Sequence, residues 1–244
     1  MDGATGGAVW GWGMIGAAAA LHGAATRWPA LARRYRQQAR ERCGVIPYAS
    51  CTGSSRNLTA LRDAGWRLLL SPANPIPPSG FGYALDNGAW SIFQAGREWE
   101  EADSVAFVRL LERQGRGADW VVLPDIVGGG QRSLDLSLSW LHRIQGLRLL
   151  AVQDGMEVEQ IRPLLSNTVG VFVGGSTEWK LQTAHQWIAL AHEIGAYCHI
   201  GRVNTRRRIY QMLGADSFDG TSATRFSKNM PLLDGARRQV GLFG

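Results

Sequence analysis

The sequence predicts a closed (β/α)8 barrel of the TIM type, α/β in class, and three observations predict it. After residue 44 one local text recurs: an amphipathic stretch ends on glycine, one or two residues intervene, and a short apolar run follows. Examples are "RDAGWRLLLSP", "RQGRGADWVVLPD", "RIQGLRLLAVQD", "EIGAYCHIG" and "QMLGADSFDG". A helix closed by a left-handed glycine and followed by a buried strand writes this text. Second, eight such apolar runs alternate with helical spacings, the number that closes a parallel sheet on itself. Third, 244 residues with 45% apolar content suit one large domain better than two. An open doubly wound sheet would share the alternation, but no glycine-rich nucleotide fingerprint follows the first run.

Taken in order, residues 1–44 stand apart as a helical, arginine-rich extension. Their first half is Gly/Ala-rich with Trp10 and Trp12, and Arg33, Arg34, Arg36, Arg40 and Arg42 crowd the second. An arginine face along nucleic acid and a solvated helix covering the bottom of the barrel both fit. The barrel is expected over 45–244, with strands at 45–49, 67–71, 82–85, 120–124, 148–153, 170–174, 197–201 and 217–219. Prolines make "SPANPIPPSG" a long loop between the second and third strands. Helical faces are expected from Val105, Val108 and Leu111, then from Leu134, Leu138 and Leu141, then from Leu181, Ala184, Ile188 and Ala191. Asn204 is placed to cap a helix holding Ile209 and Leu213.

Composition bounds the function classes. No long apolar run and no basic leader is present, so a soluble, cytoplasmic protein without a membrane partner is expected. Cys43, Cys51 and Cys198 fit neither a disulfide framework nor paired metal-ligand spacing, so free thiols, no metal and no cofactor are expected. The net charge is +6, and all but Lys180 and Lys228 of the 26 basic residues are arginine. Guanidinium forks suit phosphate, although a GC-rich coding sequence produces the same bias.

A parallel barrel builds its chemistry where strands end, at the C-terminal rim. The expected strands end in Asp86, Asp125, Gln153 and Asp154, Gly174 and Gly175, His199, and Asp219. Carboxylates crowded in a partly apolar mouth repel one another and lose hydration, which splits them into a proton holder and an anion. The plainer reading is that each aspartate caps the next helix. Asp86 and Asp219 are followed by small residues, "DNGAW" and "DGTSAT", that let a bulky substrate approach the backbone.

The stretches "YALDNGAWSIF", "VVLPDIVGG", "LLAVQDG", "VFVGGSTEWK" and "ADSFDGTSATR" resemble, in order and approximate spacing, the motifs of the tRNA-guanine transglycosylase superfamily over roughly residues 45 to 230. In that family a barrel exchanges guanine for a 7-deazaguanine. The resemblance implies Asp219 as nucleophile at the sugar's anomeric carbon and Asp86 as general acid/base. It implies Asp125 at the N1 and amino edge of guanine, Gln153 and the backbone of Gly174 and Gly175 at the other edge, and Trp90 stacked on the base. Arg225 and Lys228 match basic positions that grip the nucleic-acid backbone, and Arg202 and Arg206 join them at the rim. The family's zinc subdomain is missing, since neither Cys nor His follows Asp219. This shortened form looks more like the DpdA-type enzymes of phages and bacteria, which implies DNA as the polymer, tRNA as the alternative, and a free 7-deazaguanine as second substrate. A phage-encoded protein would work in the host cytoplasm; a homodimer is left open.

The chemistry is coherent in itself. Displacing a base from C1′ passes through an oxocarbenium-like state that a nearby anion stabilises, and two successive displacements retain configuration. The base must first leave its stack, which requires an open mouth with an aromatic shelf. His199 could pack on the base, bond a phosphate, or be a satisfied rim histidine. Glu178 reads as a first-turn helix acid, His185 and His192 as surface or packing residues, Asp154 as a loop turn, and Arg206, Arg207 and Arg208 as phosphate grip or solvated run. A non-catalytic nucleic-acid-binding subunit would not need Asp86, Asp125, Gln153 and Asp219 together. A Schiff-base aldolase is disfavoured because Lys180 and Lys228 lie outside the expected strands.

Overall fold

Eight parallel strands close into one barrel in chain order in the computed structural model, which describes residues 45–51, 55–212, 214–226 and 228–240. They are β1 (Ile46–Ser50), β2 (Arg67–Leu70), β3 (Tyr83–Leu85), β4 (Val121–Val122), β5 (Arg148–Val152), β6 (Val169–Val173), β7 (Cys198–Ile200) and β8 (Ser217–Gly220). Each lies inside its expected span or one residue beyond it. The ring closes where β8 pairs with β1, with Tyr48 beside Asp219. The expected extension over 1–44, with Cys43, lies outside the described residues, as does Leu213.

Side chains alternate across each strand, so every strand feeds two cores. Outward residues such as Leu68, Leu70, Leu150, Val152, Val171 and Phe218 join the core shared with the helices. Inward residues, among them Tyr48, Leu69, Ala84, Trp120, Val122, Leu149, Ala151 and Tyr197, fill the barrel. One more step along the inward rows reaches Asp86 after Ala84, Gln153 after Ala151, and Gly174 after Phe172. Strand parity therefore sends these residues to the mouth, together with Asp219, which follows Ser217 on the inward face of β8.

The helices are α1 (Ser55–Asp63), α2 (Ala89–Gln94), α3 (Glu101–Gln114), α4 (Gln131–Trp140), α5 (Val158–Ile161), α6 (Thr177–Ile194), α7 (Arg206–Gln211), α8 (Ser222–Arg225) and α9 (Asn229–Val240). Three expectations are corrected. On α3, Phe107 and Leu110 are buried while Val105 and Val108 are exposed. Phe107 meets Trp99 and Trp140 edge-on, and such aromatic pairs add to what area burial alone contributes. On α6, Ala184, Ile188 and Ala191 are buried but Leu181 is exposed. The cap of α7 is Thr205, whose hydroxyl accepts from the Arg208 N–H at 3.3 Å. The Asn204 side chain instead accepts from the Ser222 N–H at 3.0 Å, tying the loop after β7 to the start of α8.

At the bottom of the barrel Arg67 donates through Nε and Nη2 to both oxygens of Asp119, and the Tyr48 hydroxyl donates to the same carboxylate at 2.8 Å. Among the described residues, no helix is long and apolar enough to cross a membrane, and no cluster of His, Cys, Asp or Glu is arranged to hold a metal ion. Cys51 and Cys198 are free thiols.

Candidate active site

A cavity of about 610 Å³ opens where the strands end, and Asp86, Asp125, Asp219, Trp90 and Arg202 all line it. The tripeptide after β3 does much of the construction. Asp86 folds back to accept from the Gly88 N–H at 2.8 Å, the local bond that Asp-x-Gly turns favour. Gly88 takes φ 89°, which a glycine adopts without strain, and starts α2 so that Trp90 stands at the cavity wall. Between them Asn87 is buried. Its oxygen accepts from the Ala89 N–H at 2.7 Å, and its amide donates to the Leu123 carbonyl and to Asp125 Oδ1, each at 2.7 Å.

The two carboxyls linked by this turn are both pushed upward. Burial raises Asp86 to about 7; the Gly88 N–H pulls it back, and the charges of Asp219 and Asp125 add to the rise. Burial raises Asp125 to about 6, opposed by the Asn87 amide. Such values, held up by desolvation and like charge, let a carboxyl carry a proton near neutral pH.

Asp219 is held from below and from the side. Oδ1 accepts from the backbone N–H of Arg202 at 3.0 Å and meets His199 Nε2 at 3.1 Å. His199 is fully buried beneath the mouth, stacked on Phe172 at 4.8 Å, with Nδ1 2.7 Å from the Ser217 hydroxyl. Burial holds its imidazole below the usual histidine range despite the facing Asp219. A neutral ring protonated on Nε2 satisfies both contacts, donating to Asp219 and accepting from Ser217.

The remaining expected residues divide into those at the cavity and those beyond it. Gln153 lines the cavity, but its amide braces the loop after Asp125: Oε1 accepts from the Gly128 N–H at 2.5 Å and Nε2 donates to the Ile126 carbonyl at 3.0 Å. Gly174 and Gly175 also line it. Gly175 has φ 57°, and a β-carbon there would fall 2.6 Å from both Asp154 and Trp179, so no larger residue fits. Asp154 accepts from the N–H and hydroxyl of Ser176, the N-cap of α6, at 2.6 and 2.5 Å. Trp90 is 37% exposed and stacks on Phe93 at 5.5 Å. Arg225 is exposed at the cavity edge, whereas Arg206 and Lys228 are exposed outside its lining. Lys180 is buried in α6 with its ammonium donating to the Gly201 carbonyl, and burial brings it down to about 7.

Asn87, Phe172 and Ser217 escaped the sequence reading. The Asn-Gly turn text and the inward parity of 217 with 219 were the signals for two of them; nothing in the sequence singled out Phe172.

Fold and site together define a (β/α)8 barrel with a carboxyl-lined mouth. No protein-family model matches the chain, and no curated protein does. Among solved structures it is similar to a protein assigned as a fructose-1,6-biphosphate aldolase from Coccidioides immitis, at 10% identity over 89% of this chain and 94% of that one, TM-score 0.54. It is also similar to tryptophan synthase from M. tuberculosis, at 17% identity over 86% and 96%, TM-score 0.45. A tryptophan synthase alpha-subunit from Pyrococcus furiosus is 15% identical over 81% and 97%, TM-score 0.47. The aldolase likeness shows the barrel fold and nothing of the reaction. These comparisons overturn the assignment to the tRNA-guanine transglycosylase superfamily. No family model supports it, and the similar structure with a TM-score above 0.5 given above is assigned as an aldolase. Short motifs ending in Asp or Gly-Gly are what any barrel with polar strand ends writes.

Proposed function

We propose that this chain is an enzyme that breaks a glycosidic bond at the barrel mouth by double displacement, with Asp219 as nucleophile and Asp86 as the proton carrier. One observation carries the reading: Asp219, held by two N–H donors, shares a cavity with a carboxyl whose proton is retained up to about pH 7. With Oδ1 occupied, Oδ2 attacks the anomeric carbon as the carbon–nitrogen bond to the base breaks, and Asp86 gives its proton to the departing base. The incoming base then attacks the same carbon, the ester to Asp219 breaks, and the incoming base's proton returns to Asp86. Two inversions leave the sugar configuration unchanged.

The leaving group is a flat heterocycle. Trp90 offers a stacking face, and the Asp125 carboxylate can accept two N–H groups from the N1 and amino edge of guanine. A 7-deazaguanine keeps that edge and differs on the five-membered ring, so one pocket takes both. The specific reaction we propose is exchange of guanine in DNA for a 7-deazaguanine.

Incubation with a guanine-containing oligodeoxynucleotide and radiolabelled 7-deazaguanine tests it. Label should enter the polymer through an SDS-stable protein–DNA adduct, Asp219→Ala should lose both, and the rate should fall as pH climbs through about 7. Label entering tRNA but not DNA would change the polymer. Exchange at an equal rate in Asp219→Ala, or no exchange into either polymer, would remove the assignment.

A further inference from the structure

Arg202 combines three contacts in one residue. Its backbone N–H holds Asp219 at 3.0 Å, its guanidinium donates to the Gly175 carbonyl, and the same guanidinium lies 4.0 Å over the Trp90 ring. Among the described residues it is the only non-glycine with positive φ, at 58°. L residues adopt that conformation rarely. A glycine would present the same N–H to Asp219 without strain, so the side chain is what the strained position adds.

That side chain stands where a substrate must go. A base stacking on this face of Trp90 and the guanidinium cannot both lie against it, so binding displaces the arginine. Arg202 and Arg225 are the cations lining the cavity, and neither is ion-paired among the described residues. No carboxylate of the mouth closes an ion pair on the guanidinium where it stands: Asp219 and Asp154 act on its charge through space, and Asp86 and Asp125 each accept a bond from the Asn87–Gly88 turn, so a forked partner is still wanting. A phosphate on the substrate would supply one, in the forked geometry that guanidinium matches.

We infer that Arg202 is a specificity-determining residue that selects substrates in which a phosphate adjoins the base: the base takes the Trp90 face as the guanidinium leaves it for the phosphate. A neutral nucleoside must evict the guanidinium without that compensation. The inference deepens the glycosyl-transfer reading and rests on it for the identity of the base.

Calorimetric titration with guanosine and with guanosine 5′-monophosphate tests it, using the full chain and its Arg202→Gly, Arg202→Gln and Arg202→Lys variants. Wild type should bind the nucleotide at least about 10-fold more tightly than the nucleoside. Arg202→Gly, which suits the positive φ, should shrink that ratio to about 2-fold or less, by weakening the nucleotide while leaving or improving the nucleoside. Arg202→Gln should do the same without the backbone change, and Arg202→Lys should keep an intermediate ratio because it retains charge without the planar fork. An unchanged ratio in Arg202→Gly, a parallel loss of both probes, or no binding of either probe to wild type would overturn the inference. The two readings fail separately. Base exchange that survives Asp219→Ala with the phosphate preference intact removes the mechanism and leaves Arg202 its role; exchange without phosphate preference does the reverse.

Discussion

Asp119 and Asp86 are carboxylates at opposite ends of the same barrel, and their surroundings differ in kind. At the bottom, Asp119 receives both donors of the Arg67 fork and the Tyr48 hydroxyl. At the mouth, Asp86 receives one backbone N–H, from Gly88, and faces two further carboxyls. The lower group has its charge matched by a cation; the upper one avoids the problem by keeping its proton. One end of the barrel is thus organised for cohesion, and the other retains an unmatched group at a cost in stability that chemistry can use.

Four substitutions, compared by urea denaturation, sharpen this contrast. The largest effect belongs to the bottom: Asp119→Ala removes a buried carboxylate that accepts from the Arg67 fork and the Tyr48 hydroxyl, and should cost about 3–5 kcal/mol. A loss below about 1 kcal/mol would mean the pair is solvent-screened. Asp86→Asn should move the other way. The Asp86 carboxyl is raised from 3.8 to about 7, so folding is penalised progressively as pH rises across that window and fully above it. Removing the charge should therefore stabilise the protein by up to about 4 kcal/mol at pH 8 and leave it unchanged below the lower value. Stabilisation equal at acid and alkaline pH would break the comparison.

Asn87→Ala is expected to cost about 1–3 kcal/mol, since the Ala89 N–H and the Leu123 carbonyl lose their buried partner. It should also raise Asp125 further above its present value of about 6, because the amide now holds it down; NMR titration of the carboxyl reads this directly. The smallest change is Arg202→Gly. Relief of the positive φ and loss of the cation–π contact oppose each other, leaving stability within about 1 kcal/mol of wild type.

What the sequence disclosed follows the same division. The eight strands were legible because glycine-closed helices and apolar runs are local signals, and parity carried Asp86 and Asp219 to one mouth. The buried face of α3 was misread because Phe107 packs on Trp140 of α4 as well as on nearby Trp99, a contact between elements that the regular spacing of the valines does not register. Asn87 and Thr205 were missed for a different reason. Asn87 joins two strand ends, and Thr205 differs from its neighbour Asn204 only in where the chain directs each side chain. The family assignment failed because its motifs report strand ends, which barrels of unrelated function share.

The seam between β1 and β8 joins the first and last strands of the ring, and Asp219 stands on it beside Tyr48. Until that final pairing forms, Asp219 and Asp86 have no cavity in common, so the mouth is completed by the pairing most distant in sequence. The carboxyl arrangement at the mouth is therefore a property of the closed ring and of no partly formed one.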